Sequence, residues 1–245
     1  MSSPRVIFGV NPVLEAIKSG RRVDRVWLAR SAGGATNRIK SAAKKANVPV
    51  SVVPKEEIDR RASGGVHQGV VASVDPSDME PVDVDGICDH AESLGEAPLV
   101  VLLDGIEDPQ NLGAIIRSAY ALGAHGVVLP KNRAAGITPA VVRASAGATM
   151  HVPIARVTNL KHALEDLSRR NVWSAAAVLG GTPAHEARLD GGLALVIGSE
   201  SKGVKPSLAK ACDMQITIPL GADFDSLNAS VAAGILLYEA RRQRA

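Results

Sequence analysis

Ile218-Pro219-Leu220, then a polar loop, then Ser226-Leu227-Asn228-Ala229-Ser230 at the head of an apolar helix is the stretch that decides how this chain folds. Pro219 at the end of a predicted strand removes an amide and stops sheet pairing. The carbonyls and amides of Ile218, Leu220 and Leu227 are then available to something other than a neighbouring strand. Two earlier segments have the same placement. Asp108-Pro109-Gln110-Asn111-Leu112-Gly113 runs on to Arg117 after an apolar strand, and Gly198-Ser199-Glu200-Ser201-Lys202-Gly203 follows another. Open α/β sheets gather ligands at the carboxyl ends of their strands, so these three loops are the expected binding region.

Working outward, apolar runs predict strands at Leu99–Leu103, Gly126–Leu129, Val152–Ala155, Val172–Ala177, Leu193–Ile197 and Gln215–Ile218. Several are apolar on both faces, which points to a mostly parallel sheet covered on both sides. Helices are expected at Asn111–Leu122, Pro139–Ala146, Leu160–Arg170, Pro206–Ala211 and Leu227–Arg242. The first seventy or so residues read as a smaller α/β unit. Its strands are Val6–Phe8, Val23–Ala29, Val48–Val53 and Gly69–Val74, and Asn11-Pro12 is read as the cap and start of its first helix. The fold class is α/β, with expected boundaries at 1–74 for the small domain, 75–97 for an acidic linker holding at most a short helix near Val84–Ser93, and 98–245 for the large domain.

Charge follows those boundaries. Residues 1–73 carry a net +8, residues 74–97 a net −8, and the rest +3. A basic domain suggests a polyanionic partner, because Arg21, Arg22, Arg25, Arg30, Arg38, Arg60 and Arg61 spread over several elements. The plainer alternative is that Lys40, Lys44 and Lys45 solvate one helix face. Cys88 and Cys212 form no zinc spacing and no disulfide framework, which fits a reducing cytoplasm. The scattered histidines give no metal site, and no apolar run is long enough to span a bilayer. No glycine-rich phosphate cradle follows Leu99–Leu103, where the chain reads Asp104-Gly105-Ile106-Glu107-Asp108, so dehydrogenase and NTPase readings fall.

Taken singly, the polar residues of the three loops have ordinary readings. Asn111 and Ser226 are credible helix N-caps, Asn228 a polar first-turn residue, and Glu200 an exposed turn residue. Arg117 lies two turns beyond Asn111 and borders the buried stripe of Ile115, Ile116, Ala119 and Leu122. A long arginine there can lean back toward the helix N-terminus.

Taken together, in order and spacing, the three segments resemble the signature motifs of the SpoU (TrmH-like) branch of the SPOUT RNA methyltransferases. Phe8-Gly9-Val10-Asn11-Pro12-Val13 and Val66-His67-Gln68-Gly69 resemble the ends of the L30e-like RNA-binding domain attached to ribosomal members. The resemblance implies a deep trefoil knot in the large domain and dimerisation through it. It also implies S-adenosyl-L-methionine as methyl donor and structured RNA as substrate, above all a guanosine 2′-hydroxyl of 23S rRNA. Transfer RNA and a non-catalytic RNA-binding role are the alternatives. Asn111, Arg117, Glu200, Ser226 and Asn228 are the implied catalytic set, with Gly198, Ile218, Leu220 and Leu227 lining the cofactor pocket and no metal required. The resemblance implies that Arg117 contacts the RNA phosphate and helps activate the ribose hydroxyl; a guanidinium is a poor base, so it would act either by orienting and stabilising the developing oxyanion or by losing its proton beside an unusual partner. Glu200 is a possible partner for it.

Overall fold

The structure, a computed structural model, describes residues 5–30, 33, 35–63, 65–75, 82–221 and 226–245. The chain divides into two compact units, Met1–Glu80 with Ile137–His151, and Pro81–Gly136 with Val152–Ala245. Part of the expected linker (76–81) and part of the polar loop after Leu220 (222–225) lie outside the described residues.

In the first unit, β1 (Arg5–Phe8), β2 (Val23–Ala29), β3 (Val50–Val53) and β4 (Val70–Val74) form a mixed sheet in the order β1-β4-β2-β3. Every residue of the central strand β4 is buried, because helices cover both faces. Helices α1 (Val10–Lys18) and α2 (Ala35–Lys45) bring Val13, Ala16, Ile17, Ile39 and Ala43 onto one face, against Val26, Leu28, Val70 and Ala72. The shorter α3 (Lys55–Arg61) sets Ile58 against Phe8, Ala29 and Val71 on the other. Asn11 does not cap α1. Gly9 holds that position at φ 101, and the amide of Val10 donates to the Gln68 side chain at 3.3 Å.

The same unit includes α6 (Pro139–Ala144) and a short 3-10 turn (Ala148–Met150), which the sequence reading assigned to 98–245. Val142 and Met150 belong to its core, and Arg21 donates to the Met150 carbonyl at 2.6 Å. A contiguous boundary could not anticipate this, because the partners are far apart in sequence.

The second unit has six strands: β5 (Leu99–Asp104), β6 (Gly126–Pro130), β7 (Ile154–Val157), β8 (Trp173–Pro183), β9 (Leu193–Gly198) and β10 (Met214–Thr217). Their order is β10-β8-β9-β5-β6-β7 and all pairings are parallel. One face carries α4 (Val84–Ser93), α7 (Leu160–Arg169) and α8 (Pro206–Ala209); α5 (Pro109–Ala121) and α9 (Ala229–Gln243) are packed together, α9 also contacting β9. Burial on both faces explains the unbroken apolar runs. No helix among the described residues is long and apolar enough to cross a membrane.

Two expectations change here. Residues 84–93 are not linker. Val84, Ile87, Cys88 and Ala91 are buried in the second unit's core, and Ile87 occupies the space a Cβ on Gly126 would need. Arg170 at the end of α7 holds the acidic face of α4, donating to Asp89 at 2.7 Å and Glu92 at 2.8 Å. Strand β8 also runs on past Ala177 to Pro183. Its register against β10 jumps from Ala176 to Thr182, leaving an excursion through Leu179 and Gly180.

Candidate active site

The register explains why the three loops meet. Asp104 ends β5 directly opposite Gly198, which ends β9. The loops that follow therefore leave the same edge of the sheet side by side, and β10 ends on that edge beyond β8. Gly203 closes the second loop by donating to the Ser199 carbonyl at 2.8 Å. Gly198 is needed for a reason the sequence reading did not give. A Cβ there would lie 1.9 Å from the Gly203 carbonyl carbon, so the side chain is excluded by the returning loop.

Asp104 anchors the far end of that loop. It is 2% exposed, and it accepts from the Lys205 amide at 2.9 Å and from Lys205 Nζ at 2.5 Å. Burying a carboxylate is costly unless it is paired and hydrogen-bonded, and both conditions hold here. An acid ending the otherwise apolar run Leu99–Leu103 was the available signal.

The capping assignments differ from expectation. Asp108 caps α5, accepting from the Gln110 amide at 3.0 Å and the Asn111 amide at 3.2 Å. Asn228, not Ser226, caps α9, accepting from the amides of Ser230 at 2.9 Å and Val231 at 3.3 Å. Asn111 is thereby released from capping and turns its side chain to the second loop.

Those changes assemble a closed polar triad. Asn111 Nδ2 donates to Glu200 Oε1 at 3.0 Å. Asn228 Nδ2 donates to Asn111 Oδ1 at 3.0 Å and also to Glu200 Oε1. One carboxylate oxygen thus takes two amide donors, while Oε2 accepts from none of the described residues. Glu200 makes no pair with Arg117. That arginine is exposed on α5, has no hydrogen-bond or ion-pair partner among the described residues, and lines neither of the two cavities below.

Glu200 stands in the wall between those cavities. The larger, about 460 Å³, lies between the second loop, β8 residues Ala177 to Leu179, and Ile216, Thr217, Ile218, Leu220, Ser226 and Leu227. Gly198, Ile218, Leu220, Leu227 and Ser226 all line it, as do Val178 and Leu179 from the β8 excursion, which the sequence reading missed. Its volume suits a small-molecule ligand. Glu200 and Lys202 are the only charged side chains on its described wall, too few for a polyphosphate and sufficient for a zwitterion with an apolar body. Outside the strands and helices, no backbone hydrogen bond among the described residues uses Ile218, Leu220 or Leu227, so these can address a heterocycle edge. The smaller cavity, about 320 Å³, is bounded by Asp104, Asp108, Asn111, Arg133, Glu200 and Lys205 among others. The arrangement places a more apolar site beside a more polar one, with a fixed carboxylate in the wall of both.

Comparison with known proteins bears on this geometry. The family model described as "SpoU rRNA Methylase family" matches residues 98–238, and that described as "RNA 2′-O ribose methyltransferase substrate binding" matches residues 6–80. YacO of Bacillus subtilis (strain 168), assigned to the TrmH family of tRNA/rRNA methyltransferases, is 42% identical over 97% of this chain and 95% of its own. Among solved structures, the SpoU methyltransferase AviRb from Streptomyces viridochromogenes in complex with AdoMet superposes with a TM-score of 0.79 at 27% identity, covering 98% of this chain and 90% of that one. An AdoMet-bound rRNA methyltransferase from Sinorhizobium meliloti gives 0.74 at 26% identity, covering 98% and 87%.

Proposed function

Because this chain belongs to the SpoU rRNA methylase family, we propose that it transfers a methyl group from S-adenosylmethionine to a ribose 2′-hydroxyl of structured RNA, a guanosine of 23S rRNA being the substrate the motifs favour. The observation that carries this reading is the position of Glu200, held by Asn111 and Asn228 in the wall shared by the two cavities. The larger cavity fits the donor: apolar walls for the adenosyl body, open main-chain groups near Ile218, Leu220 and Leu227 for the adenine edge, and few charges. Bound there, S-adenosylmethionine supplies a methyl group already activated on sulfur. What remains for the protein is alignment, a proton acceptor and exclusion of water.

Asn111 and Asn228 fix the Glu200 carboxylate, and its open Oε2 takes the proton leaving the ribose hydroxyl. Gly198 lets the second loop close against the donor, and Ser226 completes the wall. Arg117 acts as a charge, steadying the RNA phosphate and the developing oxyanion. It lies outside the cavities of its own chain, next to Ser118, which faces Gly234 of α9. On α9, Val231, Ile235 and Tyr238 are 48%, 41% and 61% exposed and share one face at i, i+4, i+7 spacing. Such a stripe supports a homodimer through the second unit, and Arg117 then serves the site across the interface. The same reading includes the deep trefoil knot, an L30e-like first domain that grips RNA, and a cytoplasmic location where rRNA is processed.

Incubating the protein with isotope-labelled S-adenosylmethionine and unmodified 23S rRNA, then digesting to nucleosides for mass spectrometry, tests the proposal. Label on a ribose 2′-oxygen is expected. Label on a base, or none with folded protein, overturns it.

A further inference from the structure

The first unit carries a cavity that the proposed reaction does not use. It lies between α1 and α2, measures about 690 Å³, and has an apolar floor that includes Leu14, Ile17 and Ala42. Lys18, Arg38 and Lys45 stand around it, with Asn37 and Ser41 as uncharged polar groups. Arg38 and Lys45 are seven residues apart on one helix, a rise of about 10 Å. An RNA-like duplex axis of that length carries about six phosphate charges if its charge spacing is near that of DNA.

Charge elsewhere on this unit is partly paired and otherwise dispersed: the side chains of Arg30, Lys55, Arg60 and Arg143 also have no hydrogen-bond or ion-pair partner among the described residues, but they lie on separate elements and none lines this groove. Arg61 pairs with Glu57 at 2.7 Å and stacks on Trp27 at 4.0 Å. Arg22 reaches Asp75 at 3.7 Å, and Arg25 donates to Ser51 at 3.0 Å. Helix α3 mixes Lys55, Arg60 and Arg61 with Glu56, Glu57 and Asp59. Helix α2 differs: Arg38, Lys40, Lys44 and Lys45 occur with no acid, and none of the four has an ion-pair or hydrogen-bond partner among the described residues. The acid nearest in sequence to Lys18 is Glu15, which pairs with it and also takes the His151 ring, and Glu15 does not line the cavity. Cations left unpaired around a groove repel one another, and a polyanion relieves that cost.

We infer that the groove between α1 and α2 is an RNA-backbone site, distinct from the site of methyl transfer, that seats a ribose–phosphate strand of the substrate away from the target nucleotide. Arg38, Lys45 and Lys18 take phosphates. Asn37 and Ser41 offer hydrogen bonds to ribose hydroxyls, and the apolar floor receives the sugar edge. The inference rests on the proposed RNA substrate and extends it to a particular surface, where shape and charge set affinity and no base is read.

The test uses the full-length protein and in vitro transcribed 23S rRNA, with binding measured over a series of salt concentrations. Arg38→Gln combined with Lys45→Gln is expected to weaken binding at least tenfold. The slope of log K against log salt should shrink by about 1.5, since each lost phosphate contact removes roughly 0.7–0.9. Lys55→Gln with Arg60→Gln on α3 removes the same net charge and should leave the slope near wild type. Ser41→Asp, which places a carboxylate in the groove, should weaken binding at least as much as the α2 pair. An unchanged slope in the α2 pair, or equal losses in the α2 and α3 pairs, overturns the groove as a site. Polyglutamate should compete far less well than RNA, and equal competition overturns the assignment to RNA. RNA that binds through the groove but acquires no methyl group leaves this inference standing and removes the enzymatic one.

Discussion

Helix α2 in the first unit and the Asn111–Glu200–Asn228 triad in the second treat polar side chains in opposite ways. In the triad each side chain is bonded to the other two, and Asn228 is further tied to the start of α9. On α2 four cations stand without partners among the described residues. Under the proposed reaction and the inferred RNA groove, the two arrangements serve different tasks. Moving a proton to a defined atom requires a carboxylate fixed to within a fraction of an ångström, and neighbours that cannot rotate supply that. Holding a flexible polyanion requires accessible charge more than fixed geometry, so internal partners for Arg38, Lys40, Lys44 and Lys45 would work against it.

Breaking the fixed side gives the largest effect. Glu200→Gln keeps an oxygen that can accept from Asn111 and Asn228 while replacing the open one with an amide. We expect the rate of methyl transfer to fall by about 10²–10⁴, the usual contribution of a positioned base. Donor affinity by calorimetry and the melting temperature should stay near wild type. Retention of more than a tenth of the activity would make Glu200 a scaffold and move proton transfer elsewhere.

Salt sharpens the contrast next. Raising salt from about 50 to about 200 mM should lower RNA affinity by roughly 10³ if about six phosphates are engaged. Over the same range, S-adenosylmethionine affinity should change less than about twofold, because the cavity proposed for the donor has only two charged side chains on its described wall. Parallel loss of both would show that one electrostatic surface serves both ligands.

Gly198→Ala then tests whether the second loop is held by shape. Its Cβ would meet the backbone of Gly203 and Val204 at 1.9 to 2.2 Å, so the loop must open. A stability loss of about 1–3 kcal/mol is expected from overpacking, with weaker donor binding by calorimetry. An unchanged melting curve would contradict the packed loop.

Acid gives the smallest effect. His125 is buried, and its Nδ1 accepts from the Leu99 amide at 2.9 Å at the start of β5. Burial, partly opposed by Glu96, pushes the imidazole below its usual 6.5. The unfolded chain therefore binds a proton near that value while the folded one resists it, so this residue's contribution is present above about 6.5 and declines as pH falls below it. Thermal melts should show a smaller decline below that pH in His125→Asn than in wild type. Identical pH dependence would remove His125 from the account.

The same contrast explains what could be read from residues alone. Strands buried on both faces announce themselves, as Leu99–Leu103 and Leu193–Ile197 did, because no polar residue interrupts them. The three loops stood out since Pro219, Pro109 and the glycines around Glu200 punctuate those runs. Caps were harder: Asp108 and Asn111 are both good cap residues, and only Pro109, which favours the first helical position, identifies the residue before it. Helix α4 was expected at its observed bounds, Val84–Ser93, but its acids hid its place in the second unit's core, although Val84, Ile87, Cys88 and Ala91 carry helical spacing. The triad itself joins residues 89 and 28 positions apart, and no local pattern encodes which amide reaches which carboxylate. Leu179 was missed because its place depends on the register jump against β10, a tertiary fact.

A crystal structure of the protein with S-adenosylmethionine bound would locate the donor relative to Glu200. The adenine edge is expected against the main chain of Ile218, Leu220 and Leu227, with the transferable methyl facing the smaller cavity beside Glu200. A donor bound elsewhere, or one whose methyl points away from that carboxylate, contradicts this placement.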